Sequence, residues 1–372
     1  MEKWEERVVG EFIQLTQVDS LSGKERLMAD LLKNKLAEMG LQVWEDEAGK
    51  AVNGNAGNVL AKLPGTAAGT AMLLCAHMDT VEPGCGVRPQ LADGIIRSAG
   101  DTVLGADDKA GIVTILEVLR WVLERGIEHA GLEVAFTIWE ENGLKGAKYL
   151  DLSALEAKMG YVLDSTGLPG AVITNAPSHE EIHAIIRGQA AHAGICPEAG
   201  VSAIQIAAHA VAGMELGRID DETTCNIGII SGGKANNIVP DMVVLDGEAR
   251  SLNAEKMALR TKEMCRAIET AAARFSGKAE ITVETAYHGY NLTETDLPVL
   301  VAKEAAKALG LDFSLNKTGG GSDANVFNKK GLPTAVLGIG MKQVHTTEEY
   351  IRVEDLLNNV RYLYQIVQSA RR

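Results

Sequence analysis

The apolar run AMLLCAHMDTV, residues 71–81, breaks into an imidazole at His77 and a carboxylate at Asp79. On an extended segment residues i and i+2 share a face, so Asp79 can hold the His77 ring in one orientation. Three more apolar runs end in acid or histidine: FTIWEEN with Glu140 and Glu141, GYVLDS with Asp164, and GIGMKQVHTT with His345. A fifth segment, LGADDKAG, opens a long helical pattern with Asp107 and Asp108. Taken singly, each has a plain explanation. A strand-end His is commonly a hydrogen-bonded surface residue, Glu-Glu a solvated turn, Asp107 and Asp108 helix caps, and Asp164 before Ser165 and Thr166 a turn. Five such segments in one chain argue instead for convergence at one sheet edge, where loops at the carboxyl ends of strands build sites.

Two imidazoles and three or four carboxylates make an N/O donor set suited to zinc, cobalt or manganese rather than to thiophilic metals. A two-metal hydrolytic centre needs such a set, with one carboxylate bridging ions about 3.5–4 Å apart, together with a base that is not a ligand. Neighbouring residues point different ways, so Glu140 and Glu141 can divide those tasks.

Positioning these groups requires a sheet. Helical periodicity covers residues 3 to about 17 and about 23 to 39, the second helix opened by Ser22 and stopped by Gly40. Apolar runs at 41–44, 58–63 and 71–76, a helix from about Asp108 to Glu124, a strand at 131–139, a short helix near 144–150 and a strand at 159–164 follow. This alternation predicts an α/β domain with a largely parallel or mixed sheet flanked by helices. From about residue 180 the pattern becomes strand, helix (201–215), strand, strand, helix (254–275), strand, which predicts an α+β unit. A helix (297–309), a Gly-rich loop, a strand and a closing helix (353–369) come last. That remainder is too short to stand alone, so residues 1–175 and 288–372 are expected to form the metal-binding domain and 176–287 an inserted domain.

With 372 residues, 46 % hydrophobic and 23 % charged, the chain has material for two cores. A formal charge of −14 without a basic cluster disfavours a nucleic-acid partner. Its five cysteines are widely spaced with no C-x-x-C, which reads as reduced thiols and a cytoplasmic protein. Neither a signal-peptide pattern nor an apolar run of membrane-spanning length is present, so no membrane association is expected.

The motifs AHMDTV, LGADDKAG, WEENGLKGAK, LDSTG, GQAAHAG, NNIVPD, GGGSDANVF and VHTTEEY run in order along nearly the whole chain. In them the sequence resembles M20-type metallopeptidases, and the peptidase T-like branch in particular. The resemblance implies that His77 and Asp164 bind one metal, Glu141 and His345 the other, and that Asp107 bridges them. It also implies Asp79 as the residue orienting His77 and Glu140 as general base. In such enzymes the inserted domain is a dimerisation (lid) domain with substrate contacts. His192 would then reach the partner's active site, Asn237 and Arg250 would bind substrate, and Gly320 and Gly321 match a substrate-side loop. Read without the resemblance, NNIVPD is a turn before a strand, Arg250 a surface charge and His192 a loop histidine. The expected function is a homodimeric hydrolase carrying two divalent ions, zinc foremost, that cleaves an amide near the end of a short peptide. A deacylase or carboxypeptidase acting on N-acyl amino acids, and a non-catalytic binding homologue, are the alternatives.

Overall fold

The computed structural model describes residues 2–370. It divides into two compact units, one of Met1–Thr174, Asn291–Lys317 and Ser322–Arg372, the other of Asn175–Tyr290 with Thr318–Gly321.

The larger unit is built on a mixed sheet. Its centre is four parallel strands in the order Leu132–Thr137, Met72–His77, Met159–Ser165 and Thr334–Gly338. Antiparallel strands Gln42–Glu45 and Val59–Leu63 extend one side, and Ala171–Ala176 adds antiparallel to the other. The strand Met72–His77 is buried along its whole length and Met159–Ser165 along most of it, as expected of strands covered on both faces. Helix Ala106–Glu124 packs on Met72–His77 and Met159–Ser165. Helix Val353–Ser369 packs on Ala106–Glu124 and on Leu297–Leu309. Apolar side chains of Phe12, Leu74, Ile115, Phe136, Tyr161 and Leu363 meet in the resulting core. Because the four central strands run parallel, their carboxyl ends share one edge. His77, the segment 138–141, and Asp164 all emerge there.

In the smaller unit five antiparallel strands run in the order Gly217–Asp220, Thr223–Gly232, Met242–Ser251, Ser178–Arg187, Lys278–Tyr287. Helices Ala203–Ala212 and Ala254–Arg274 cover one face through Ile182, Ala184, Ile186, Leu245, Ile206 and Ile268. The alternation of Ser178–Arg187 leaves Glu181, His183 and Arg187 exposed. The sequence codes for these helix starts locally. Ser202 accepts the Gln205 N–H, and Asn253 accepts those of Glu255 and Lys256.

The α/β plus α+β organisation expected from periodicity is the one observed, with several differences, among them the strands Gly217–Asp220 and Ser314–Lys317. Ser22 does not open the second helix, which begins at Arg26; its hydroxyl donates instead to Asp79 at 2.6 Å. The Gly-rich loop contains a helix, Asp323–Lys329, started by reciprocal Ser322 and Asn325 contacts. A small sheet of Pro89–Ala92, Ile95–Ser98 and Tyr350–Arg352 is not expected from the sequence, because each of its strands is only three or four residues long. Nor is the strand Ala171–Ala176, a short run buried almost throughout with no alternation to mark it. No described helix is long and apolar enough to cross a membrane.

Candidate metal centre

At the edge where the parallel strands end, His77 is almost fully buried, and its Nδ1 meets the main-chain carbonyl of Asp79 at 2.9 Å. The Asp79 carboxylate stands 3.6 Å from the same nitrogen. Asp79 therefore faces the ring, as i and i+2 geometry requires, though the closer contact is made by its backbone. That leaves Nε2 to point away, where it lies 3.0 Å from Oδ1 of Asp107. The other Asp107 oxygen, Oδ2, lies 3.3 Å from Nε2 of His345. His345 also reaches Glu141 at 3.0 Å.

Two groups of ligand atoms result. Those of His77, Asp107 and Glu141 lie within 4.8 Å of one another, and so do those of His77, Glu140 and Asp164. Adjacency in sequence thus does not keep Glu140 away from the donor set, because it stands within ligand reach of both His77 and Asp164. Asp107 and Asp108 divide as different residues. Asp108 accepts the N–H groups of His77 at 3.2 Å and Gly111 at 3.1 Å, which is a capping role, while Asp107 alone faces the imidazoles.

The Glu-Glu turn is held from behind. Asp79 accepts the main-chain N–H of Glu140 at 2.9 Å and of Glu141 at 3.2 Å. Glu25 accepts that of Trp139 at 3.1 Å, and Trp139 sits in the left-handed region at φ 51°. Backbone donors converging on buried acids fix where the two side chains start.

Charge at this edge is unbalanced. Burial, and then the neighbouring Asp164, push Glu140 well above the usual carboxylate range. Burial and Asp107 do the same to Asp164. Burial also raises Glu141, with His345 opposing it. For Asp107 burial is outweighed by His345 and His77, which hold it below its ordinary value. His345 is raised to about 10 by Asp107 and then Glu141. The contacts of Asp107 and Asp79 raise His77 against the burial that opposes its charge. Such a crowd of buried acids around two imidazoles is stabilised by added positive charge, and its N/O donors match zinc, cobalt or manganese. The donor set fits divalent cations.

Residues 73–369 match the family model for peptidase family M20/M25/M40. The chain belongs to that family. It is accordingly a metallopeptidase, a hydrolase. Among M20 relatives, the aminopeptidase PepT of Bacillus cereus is 44 % identical, with a TM-score of 0.90 and 99 % of both chains covered. A tripeptidase of Staphylococcus aureus is 40 % identical, with a TM-score of 0.94 and the same coverage. The protein YqjE of Bacillus subtilis is 42 % identical over 98 % of this chain and 99 % of its own length.

The remaining candidates of this M20 peptidase lie in the smaller unit. His192 and Asn237 are brought side by side by main-chain bonds from Ala193 to Asn237 and from Val239 to Ala191. His192 is exposed, and its Nδ1 accepts the Gly194 N–H at 3.2 Å. Arg250 donates to Glu248 at 2.9 Å and to the Tyr287 hydroxyl at 3.2 Å. Gly321 abuts the Tyr287 ring so closely that a Cβ would overlap it, whereas Gly320 is free of close neighbours. Arg250, Tyr287 and Gly321 thus form one cluster.

Three acids beside the M20 centre escaped the sequence reading. Asp323 is buried, accepts the Thr137 hydroxyl at 2.5 Å, and is pushed up to about 6 by burial. Burial likewise raises Glu25 and Glu349, each to about 7. All three belong to motifs or helix starts where an acid is unremarkable, and no local pattern marks them as buried.

Proposed function

We propose that this M20 enzyme is an aminopeptidase of short peptides, acting on tripeptides with a free amino terminus and using two divalent cations, zinc foremost. One observation carries the proposal: Asp107 turns one oxygen to His77 and the other to His345. His77 with Asp164, and His345 with Glu141, are then two ligand groups that share Asp107. The relatives named aminopeptidase PepT, at 44 % identity, and tripeptidase, at 40 %, support the choice of substrate end.

Bound cations supply Lewis acidity towards a carbonyl and bring the pKa of a bound water to about 7. The protein's own residues do the rest. Asp79 keeps the His77 ring turned. Glu140 takes a proton from the attacking water and returns it to the leaving amine. Burial and Asp164 raise the proton affinity of Glu140, which suits a group that must keep a proton between those transfers.

The motif resemblance assigns further roles in the smaller unit. His192, from a second copy of the chain, donates to the developing oxyanion, and Arg250 pairs with the substrate carboxylate. Asn237, Gly320 and Gly321 line the substrate. A homodimer in the cytoplasm is the corresponding setting.

The test is hydrolysis of a tripeptide and of its N-acetylated form by metal-loaded protein. Release of the first residue from the free peptide only is expected. Faster cleavage of the acetylated form would move the assignment to a deacylase, and no cleavage of either would remove the peptidase assignment.

A further inference from the structure

Glu349 has no part in the mechanism above, yet it is buried to 1 % exposure beside the residue that the mechanism shares between two ligand groups. Both of its oxygens are used. Oε2 accepts the N–H of Gly105 at 2.7 Å and Oε1 accepts that of Asp107 at 3.0 Å. These two donors sit at the start of helix Ala106–Glu124, where the first N–H groups have no partner within the helix. No local side chain accepts from these two donors, because Gly105 at the N-cap has none and Asp108 accepts from Gly111 and His77 instead. The cap comes from the far end of the sequence.

Glu349 is itself anchored. Tyr350 and Lys342 exchange both main-chain hydrogen bonds, and Tyr350 pairs with Arg97 in the small sheet. Between those anchors the chain makes the loop that carries His345, closed by the Glu349 N–H donating to Thr346. One side chain therefore joins the loop bearing His345 to the turn bearing Asp107, the two residues that meet at 3.3 Å.

We infer that Glu349 is a positioning residue of the metal centre, holding Asp107 and His345 in register so that both can ligate. The inference rests on the dinuclear assignment given above. Glu349→Gln keeps size and shape but replaces one acceptor oxygen with an N–H₂ group aimed at a backbone N–H. Residues that orient ligands typically contribute 10–100-fold to metal affinity.

The experiment titrates zinc into metal-depleted wild type, Glu349→Gln, Glu349→Asp and the distant control Glu45→Gln, against a chelator of known affinity. Melting temperature is followed with and without zinc. Wild type and Glu45→Gln should bind two ions alike. Glu349→Gln should bind at least one ion 10–100-fold more weakly, with a smaller rise in melting temperature on adding zinc. Glu349→Asp, which keeps both oxygens, should fall between. Unchanged affinity in Glu349→Gln, or equal loss of melting temperature with and without zinc, would overturn the positioning role while leaving the dinuclear assignment standing. Wild type that binds no zinc, or only one ion, would overturn that assignment and this inference with it.

Discussion

Asp79 accepts the backbone N–H of Glu140 at 2.9 Å, so the residue that faces the His77 ring also fixes the turn that presents the adjacent acid. Its carboxylate receives Ser22 and the N–H of Glu141 as well. Every one of these partners is a donor, and a carboxylate in that setting can be replaced only by another acceptor.

Asp79→Asn should therefore misplace both sides of the site. An amide would aim a donor at one of these donors, and a loss of 10–100-fold in metal affinity or turnover is expected. Metal titration and steady-state kinetics on the purified variant check it. Wild-type values for both would show that the backbone carbonyl of Asp79 suffices to orient His77.

Removing metal should abolish activity and lower stability together. The raised carboxylates at the strand edge lose the cations that favour their ionised forms, and a ligand at 100 times its Kd stabilises the folded state by about 2.7 kcal/mol. Chelation should lower the melting temperature, and zinc, cobalt or manganese should restore it along with hydrolysis. Full activity in metal-free protein would refute the metal centre.

Glu140→Gln should retain about two ions and lose on the order of 10²–10⁴ in turnover, the range for a positioned acid–base. Metal analysis and single-turnover assays separate the two effects. Since Glu140 and Glu141 both stand within ligand reach of His77, loss of an ion from this variant would exchange their roles.

Away from the site, Glu45 provides a pH signature. Burial disfavours its charge, but Arg26 at 2.8 Å, the Gly57 N–H at 2.8 Å and Lys33 at 2.7 Å outweigh it and bring its pKa down to about 2 from 4.5. A carboxylate with a depressed folded-state pKa contributes stability above its unfolded value and loses it as pH falls towards the folded one. Wild type should melt higher than Glu45→Gln at pH 7, and the gap should close between about pH 5 and pH 2. A gap independent of pH would mean that packing, not charge, sets the difference.

Periodicity and end signals in the sequence by themselves determined the element types, the α/β class with its α+β insertion, and the acids and histidines that follow apolar strands. These are local properties, carried by side chains a few positions apart, and they survive without knowledge of the fold. What meets what was decided only in three dimensions. Asp107 and Asp108 are chemically alike and adjacent, yet one faces two imidazoles and the other caps a helix, because both depart from helical angles where the helix begins and their side chains leave in different directions. Ser22 reads as a helix cap and serves Asp79 instead, since the helix begins only at Arg26 and the Ser22 hydroxyl is free to reach the strand-end carboxylate. Glu349 reads as one more polar residue in VHTTEEY until the closing of the sheet brings it under Gly105 and Asp107. Parallel register and loop path set those meetings, and both depend on packing between segments far apart in the chain, which no window of sequence contains.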